Sequence, residues 1–202
     1  MNASTTPPSK PSNWNIANAL TALRIALVPL FVFLMLHDDG HVTSWRIAAT
    51  VAFLAAIITD RIDGDLARSR GLVTDLGKIA DPIADKALIG AALISLSIVG
   101  ALWWWVTVVV LVRELGITVM RFFMIRYGVM AASRGGKAKT VVQSMAISLM
   151  VAPLPGVVEP LAFVCMGVAV ALTLVTGLDY VFQAVRLRRT VRRERHSGAP
   201  AS

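Results

Sequence analysis

One cysteine, Cys165, occurs in 202 residues. It excludes an internal disulfide, and its apolar neighbours mark it as a small hydrophobe, buried or facing lipid. Charge is scarce too. Asp, Glu, Lys and Arg make up 16% of the chain, against about 25% in ordinary soluble domains. Acidic residues are the scarcer kind, 12 against 20 Lys and Arg, leaving a formal net charge of +8. No internal repeat is present. Residues 1–13 (MNASTTPPSKPSN) lack a basic segment followed at once by an apolar core and cleavage site, so they read as a flexible tail and not a signal peptide. What the chain has in quantity is apolar sequence, 56% of residues, with a mean hydropathy of +0.68. That balance excludes an ordinary soluble domain. Basic charge on a soluble chain would point to nucleic acid. Here it flanks apolar runs, as expected of residues meeting anionic lipid headgroups, and no nucleic acid partner is expected.

An apolar helix of about 20 residues crosses the hydrocarbon core of a bilayer. Six such runs are predicted, at 16–36, from 45 through 58 into an acidic segment, at 77–99, 103–125, 140–151 and a little beyond, and 161–185. Breakers separate them: HDDGH at 37–41, RSRGLVTD at 68–75, GA at 100–101, YGVMAASRGG at 127–136 and PLPGVVEP at 153–160. The fold expected is an all-α integral membrane protein of six transmembrane helices, a single bundle over 14–187. A basic tail at 188–202 ends as a frayed helix. The connections at 37–44, 99–102 and 153–160 hold no Lys or Arg, whereas 68–78, 126–139 and the C-terminal tail are rich in them. The positive-inside rule then puts both termini in the cytoplasm. Arg24 and Arg113 lie deeper in their spans. Trp103, Trp104 and Trp105 fit an aromatic belt on the opposite face.

The acidic segment DRIDGDLARSRGLVTDLGKIADPIADK is the anomaly. It holds six of the twelve acidic residues beside runs apolar enough for a bilayer. On a helix, Asp60, Asp63, Gly64, Ala67 and Arg68 share one stripe at i, i+3, i+4, i+7 and i+8, while Asp65 points elsewhere. Gly77, Asp81 and Asp85, spaced by four, share a stripe on the next helix, with Asp75 as a cap near its start. A short reversal makes the two helices antiparallel neighbours, so four carboxylates can converge: Asp60, Asp63, Asp81 and Asp85. Converging like charges demand a counter-ion. With no His or Cys nearby, an all-oxygen set suits a hard cation, Mg²⁺ or Mn²⁺. The glycines let a bulky ligand approach the backbone, and Arg68 is placed to meet a phosphate or a carboxylate.

These residues resemble the signature of the CDP-alcohol phosphotransferases, D-x-x-D-G-x-x-A-R-x8-G-x-x-x-D-x-x-x-D, at every fixed position. The resemblance implies six spans, a homodimer and a polar cavity open to the cytoplasm. It implies that the four aspartates hold one or two divalent cations at the pyrophosphate of a CDP-linked lipid, with release of CMP. Asp85 matches the residue taken as general base, and Asp63, Gly64, Ala67, Arg68, Thr74 and Gly77 match the CDP-lipid site. NIANALTALRI, TDRIDGDLAR, DPIADK, VREL and ASRGGKAKT are similar to segments of the phosphatidylglycerophosphate synthases within that family, and place Asn18 and Thr21 near the nucleotide. The implied reaction moves a phosphatidyl group from CDP-diacylglycerol to the C1 hydroxyl of sn-glycerol 3-phosphate, in the cell membrane, on its cytoplasmic side.

Basic residues bear on the acceptor. Arg113 and Arg121 lie in the fourth run, where Glu114, Thr118 and Arg121 share a face. Lys137 and Lys139 open the fifth, with Thr140, Ser144 and Ser148 as a polar stripe. A phosphate monoester calls for such cations and a free polyol does not, so Arg113, Arg121, Lys137 and Lys139 are the candidate acceptor-phosphate ligands. Positive-inside anchoring accounts equally for the two lysines. Arg113, in mid-span, must have a partner, either an acidic side chain or a substrate phosphate. Three other readings compete. One is a different acceptor within the family, as in cardiolipin synthase or phosphatidylinositol phosphate synthase. Another is an ion or proton transporter, which would spread its acids across the membrane instead of clustering them. The third is a non-catalytic membrane scaffold, which leaves the complete signature unexplained.

Overall fold

The computed structural model describes residues 15–69, 74–124 and 134–197. They form six α-helices in sequence: α1 (Ile16–Leu36), α2 (Thr43–Ser69), α3 (Asp75–Ile98), α4 (Trp104–Met124), α5 (Arg134–Val151) and α6 (Glu159–Ser197). Each expected run is therefore a helix, but several helices outlast their apolar stretch. α2 continues through the acidic segment to Ser69, α5 starts at Arg134 ahead of its apolar run, and α6 carries part of the basic tail. Hydropathy reports where a helix is apolar, whereas its ends are set by hydrogen bonding and caps. The tail expected at 1–13 lies outside the described residues.

Two compact units divide the chain, Met1–Ser95 and Leu96–Ser202. In the first, Asn15 caps α1, its side chain accepting from the Asn18 N–H at 3.0 Å. α1 ends in a 3₁₀ turn, His37–Gly40, whose Asp38, Asp39 and Gly40 have φ of 50°, 54° and 72°. Aspartate tolerates the left-handed region better than most residues, and glycine enters it freely. The turn brings α2 back along α1. Phe31 and Phe53 meet at 5.5 Å between ring centres, and Met35, Ala49 and Ala56 are sealed from solvent beside them. Trp45 closes the turn end against His37 and Phe33.

The start of α3 corrects one expectation. The cap is Thr74, not Asp75. Thr74 Oγ1 accepts from the Gly77 N–H at 3.0 Å, the N-cap to N3 relation, and Asp75 is already the first helical residue. The Asp75 side chain lies outside the described residues.

In the second unit, Ser97 and Thr107 share a hydrogen bond of 2.7 Å across the turn between α3 and α4. Gly100 makes that turn at φ 75°, and the N–H groups of Ala101 and Leu102 both return to the Leu96 carbonyl. α6 packs on α5 and α4. Ala146, Ile147 and Val151 of α5 are buried, as are Ala162, Met166 and Ala169 of α6 and Val106 and Val110 of α4.

Large apolar side chains also stand exposed along both units, among them Ile58, Ile83, Val112, Phe122, Val175 and Phe182. Two stretches, Asn18–Gly40 and Glu159–Arg188, are long and apolar enough by length and composition to cross a membrane.

Candidate active site

The first unit gathers three of the four signature aspartates around one turn of α1. Arg24 is wholly buried. Its Nη1 lies 2.7 Å from Asp60 Oδ1, and its Nη2 donates to Asp63 Oδ2. One turn earlier on the same helix, Thr21 Oγ1 donates to Asp81 Oδ1 at 2.6 Å. One turn earlier again, Asn18 Oδ1 accepts from Thr74 Oγ1 at 3.0 Å. Asn18, Thr21 and Arg24 thus form a polar stripe at i, i+3 and i+6 that ties α1 to α2 and α3. The expected facing of α2 and α3 acidic stripes is mediated by this third helix. Arg24 has no place in the aspartate signature. Its signal was present: a guanidinium inside an apolar helix must find anions.

Gly77 lets Asn18 and Thr74 approach closely. A Cβ there would come within 3.0 Å of Asn18 Oδ1 and 3.2 Å of Thr74 Oγ1. Thr74 and Asn18, expected near the nucleotide, serve here as cap and cap partner. Asp63 is buried and Asp60 is 40% exposed. Asp85 follows Asp81 by one helical turn on α3 and is half-buried, as are Asp81 and Gly64. The side chains of Ala67, Arg68 and Asp65 lie outside the described residues.

Among the described residues, no three His, Cys, Asp or Glu side chains stand as a formed metal cluster. The chemistry of the donor set still fits a hard dication. The donors are all carboxylate oxygens. Asp60, Asp63 and Asp81 each give one oxygen to α1.

The second unit holds the basic candidates, and they are not equivalent. Glu114 is the hub. Its Oε1 accepts from Arg113 Nη1 at 2.8 Å and from Lys139 Nζ. Arg113 Nη2 reaches Thr176 Oγ1 on α6 at 2.6 Å, and Gly177 leaves room for the arginine stem: a Cβ there would sit 3.2 Å from Arg113 Cγ. Arg121 stacks on Tyr180, with its guanidinium carbon 5.1 Å from the ring centre and Nη2 3.4 Å from the hydroxyl. Arg113 and Lys139 therefore meet on the Glu114 carboxylate, and Arg121 joins them through the Tyr180 ring, which also lies 6.0 Å from the Arg113 guanidinium carbon. Lys137 is exposed while Lys139 is 4% exposed. Of the two partners open to Arg113, the acidic side chain is the one found. Thr176 and Tyr180 are not legible as site residues because their partners Arg113 and Arg121 lie 63 and 59 positions away, and Glu114, although adjacent to Arg113, meets Lys139 only across 25 positions.

Comparisons with known proteins give this arrangement its context. The family model for CDP-alcohol phosphatidyltransferase matches residues 14–175. A probable phosphatidylglycerophosphate synthase of Mycobacterium tuberculosis (strain H37Rv) is 52% identical over 172 residues, 85% of this chain and 82% of the relative. A CDP-diacylglycerol–glycerol-3-phosphate 3-phosphatidyltransferase of Bacillus subtilis (strain 168) is 36% identical over 180 residues, covering 83% and 93%. One of the same name from Shigella flexneri serotype 5b is 34% identical over 177 residues, covering 85% and 95%. The match spans the acidic helices of the first unit and the basic cluster of the second, and the chain belongs to the CDP-alcohol phosphatidyltransferase family.

Proposed function

We propose that this protein transfers the phosphatidyl group of CDP-diacylglycerol to the C1 hydroxyl of sn-glycerol 3-phosphate, giving phosphatidylglycerol phosphate and CMP. The observation that carries the reading is the complete eight-residue signature in a chain that matches relatives of that activity along most of their length. The cationic cluster of the second unit supports the phosphorylated acceptor, since two cations on one carboxylate, with Arg121 beside them on Tyr180, leave positive charge for a phosphate.

In this reading Asp60, Asp63, Asp81 and Asp85 would hold Mg²⁺ or Mn²⁺, which would supply charge neutralisation for the pyrophosphate and its leaving group. Thr21 and Arg24 fix the carboxylates from behind. Asp85 accepts the proton of the C1 hydroxyl as its oxygen attacks the phosphorus bearing diacylglycerol, and the bond to CMP breaks. Gly64, Ala67, Arg68 and Gly77 lie along the CDP portion. Arg113, Arg121 and Lys139 bind the acceptor phosphate, with Lys137 at the rim, and that binding orders the hydroxyl for attack. The six helices cross the cell membrane with both termini and the active site on the cytoplasmic side, and the protein works as a homodimer. The exposed apolar residues on both units support immersion in lipid.

The test is purified protein with CDP-diacylglycerol and Mg²⁺, offered glycerol 3-phosphate, inositol phosphate or phosphatidylglycerol in parallel. CMP release with glycerol 3-phosphate alone is the expected result. Faster release with either other acceptor would overturn the choice of acceptor while leaving the family chemistry intact.

A further inference from the structure

The basic cluster is incompletely satisfied. Among the described residues of the second unit, the buried side-chain nitrogens and oxygens without a hydrogen-bond partner are Arg113 Nε and both carboxamide atoms of Gln143. Gln143 is 2% exposed. A buried polar group left unpaired is costly, and this amide leaves both a donor and an acceptor unused. Buried and half-buried hydroxyls of α5 and α6 behave differently. Ser148, Thr173 and Thr176 return their hydroxyls to the preceding turn of their own helix. An amide on a longer stem needs a partner from elsewhere.

Helical register says where the amide lies. Gln143 follows Lys139 by four residues, so both share a face of α5, about 6 Å apart along the axis. The Lys139 side chain on that face reaches Glu114 and, through it, Arg113. The next turn on the same face is apolar and buried, with Ala146, Ile147 and Met150. On this face Gln143 is therefore the last polar group before buried apolar residues, one turn from Lys139. A three-carbon phosphate monoester is of similar length to that turn.

We propose that Gln143 determines acceptor specificity by hydrogen-bonding the C2 hydroxyl of the acceptor whose phosphate the cluster holds. A hydroxyl both donates and accepts, as the amide requires. The Arg113 Nε–H donates to an oxygen of the same molecule. This inference rests on glycerol 3-phosphate being the acceptor, and it adds the residue that reads its carbon skeleton.

The experiment compares glycerol 3-phosphate with 3-hydroxypropyl phosphate, which keeps the phosphate and the primary hydroxyl and lacks the C2 hydroxyl. CMP release at saturating CDP-diacylglycerol and Mg²⁺ gives kcat/KM for each. Wild-type protein should favour glycerol 3-phosphate by about tenfold or more, since a site built to bond a substrate hydroxyl rejects the analogue without it. Gln143→Met should reduce that preference to about twofold, with the KM for CDP-diacylglycerol unchanged. A wild-type preference under twofold overturns the proposal without any variant, so a misfolded Gln143→Met does not protect it. A Gln143→Met protein that still discriminates tenfold overturns it as well. If wild-type protein releases CMP with neither compound, the acceptor reading itself falls and this inference with it.

Discussion

Replacing Arg24 by methionine keeps the length and apolar stem of the side chain and removes its charge. The guanidinium is fully buried, and it serves Asp63, whose side chain is 4% exposed, and Asp60, which is 40% exposed. Water can take over at Asp60 but not at Asp63. The variant therefore leaves one carboxylate buried without its counter-charge, a change that costs about 3–5 kcal/mol when one partner of a buried pair is removed. At about 2–4 °C of Tm per kcal/mol for a chain of this size, Arg24→Met should unfold about 6–20 °C below wild type. Thermal unfolding followed by tryptophan fluorescence in detergent, with a chelator present so that no added cation substitutes for the guanidinium, measures this. The charge argument makes a sharper demand. Arg24→Met combined with Asp63→Asn should recover much of the loss, because the second change removes the orphaned charge. The coupling between the two should be on the order of 1–3 kcal/mol. A shift of less than about 2 °C for Arg24→Met, or strict additivity in the double variant, would refute the reasoning.

Asp85→Asn should retain CDP-diacylglycerol binding and lose turnover; CMP release at the wild-type rate would remove Asp85 from the role of base. Thr21→Val should weaken Mn²⁺ binding about tenfold, as loss of an outer partner of a metal ligand typically does. If Mn²⁺ affinity is unchanged while the KM for CDP-diacylglycerol rises, Thr21 acts on the nucleotide instead. Lys139→Ala should raise the KM for glycerol 3-phosphate more than Lys137→Ala, because Lys139 is buried on Glu114 and Lys137 is exposed. Equal effects in steady-state kinetics would place the acceptor phosphate away from the Glu114 hub.

Several features were legible before any coordinates. Helix count follows from apolar run length, and the stripes follow from the 3.6-residue period, which puts Asp60 with Asp63 and Asp81 with Asp85 on shared faces. Capping was less legible. TD at 74–75 offers two good N-cap residues in a row, and the choice of Thr74 accompanies its second bond to Asn18, 56 residues away. Lys137 and Lys139 look alike in sequence, yet one is exposed and the other buried. A two-residue step on a helix turns the side chain by about 200°, but which face meets α4 is a matter of packing.

The sequence by itself determined the six helices, the spacing of the carboxylates and the family. Each of these depends on residues close together in the chain and on backbone hydrogen bonds within one helix. Only the tertiary structure decided that Arg24 lies against Asp60 and Asp63, that Glu114 draws in both Arg113 and Lys139, and that Gln143 is sealed in without a partner. Those outcomes turn on which helical faces are pressed together. Local spacing states what a face carries, and packing states what it meets.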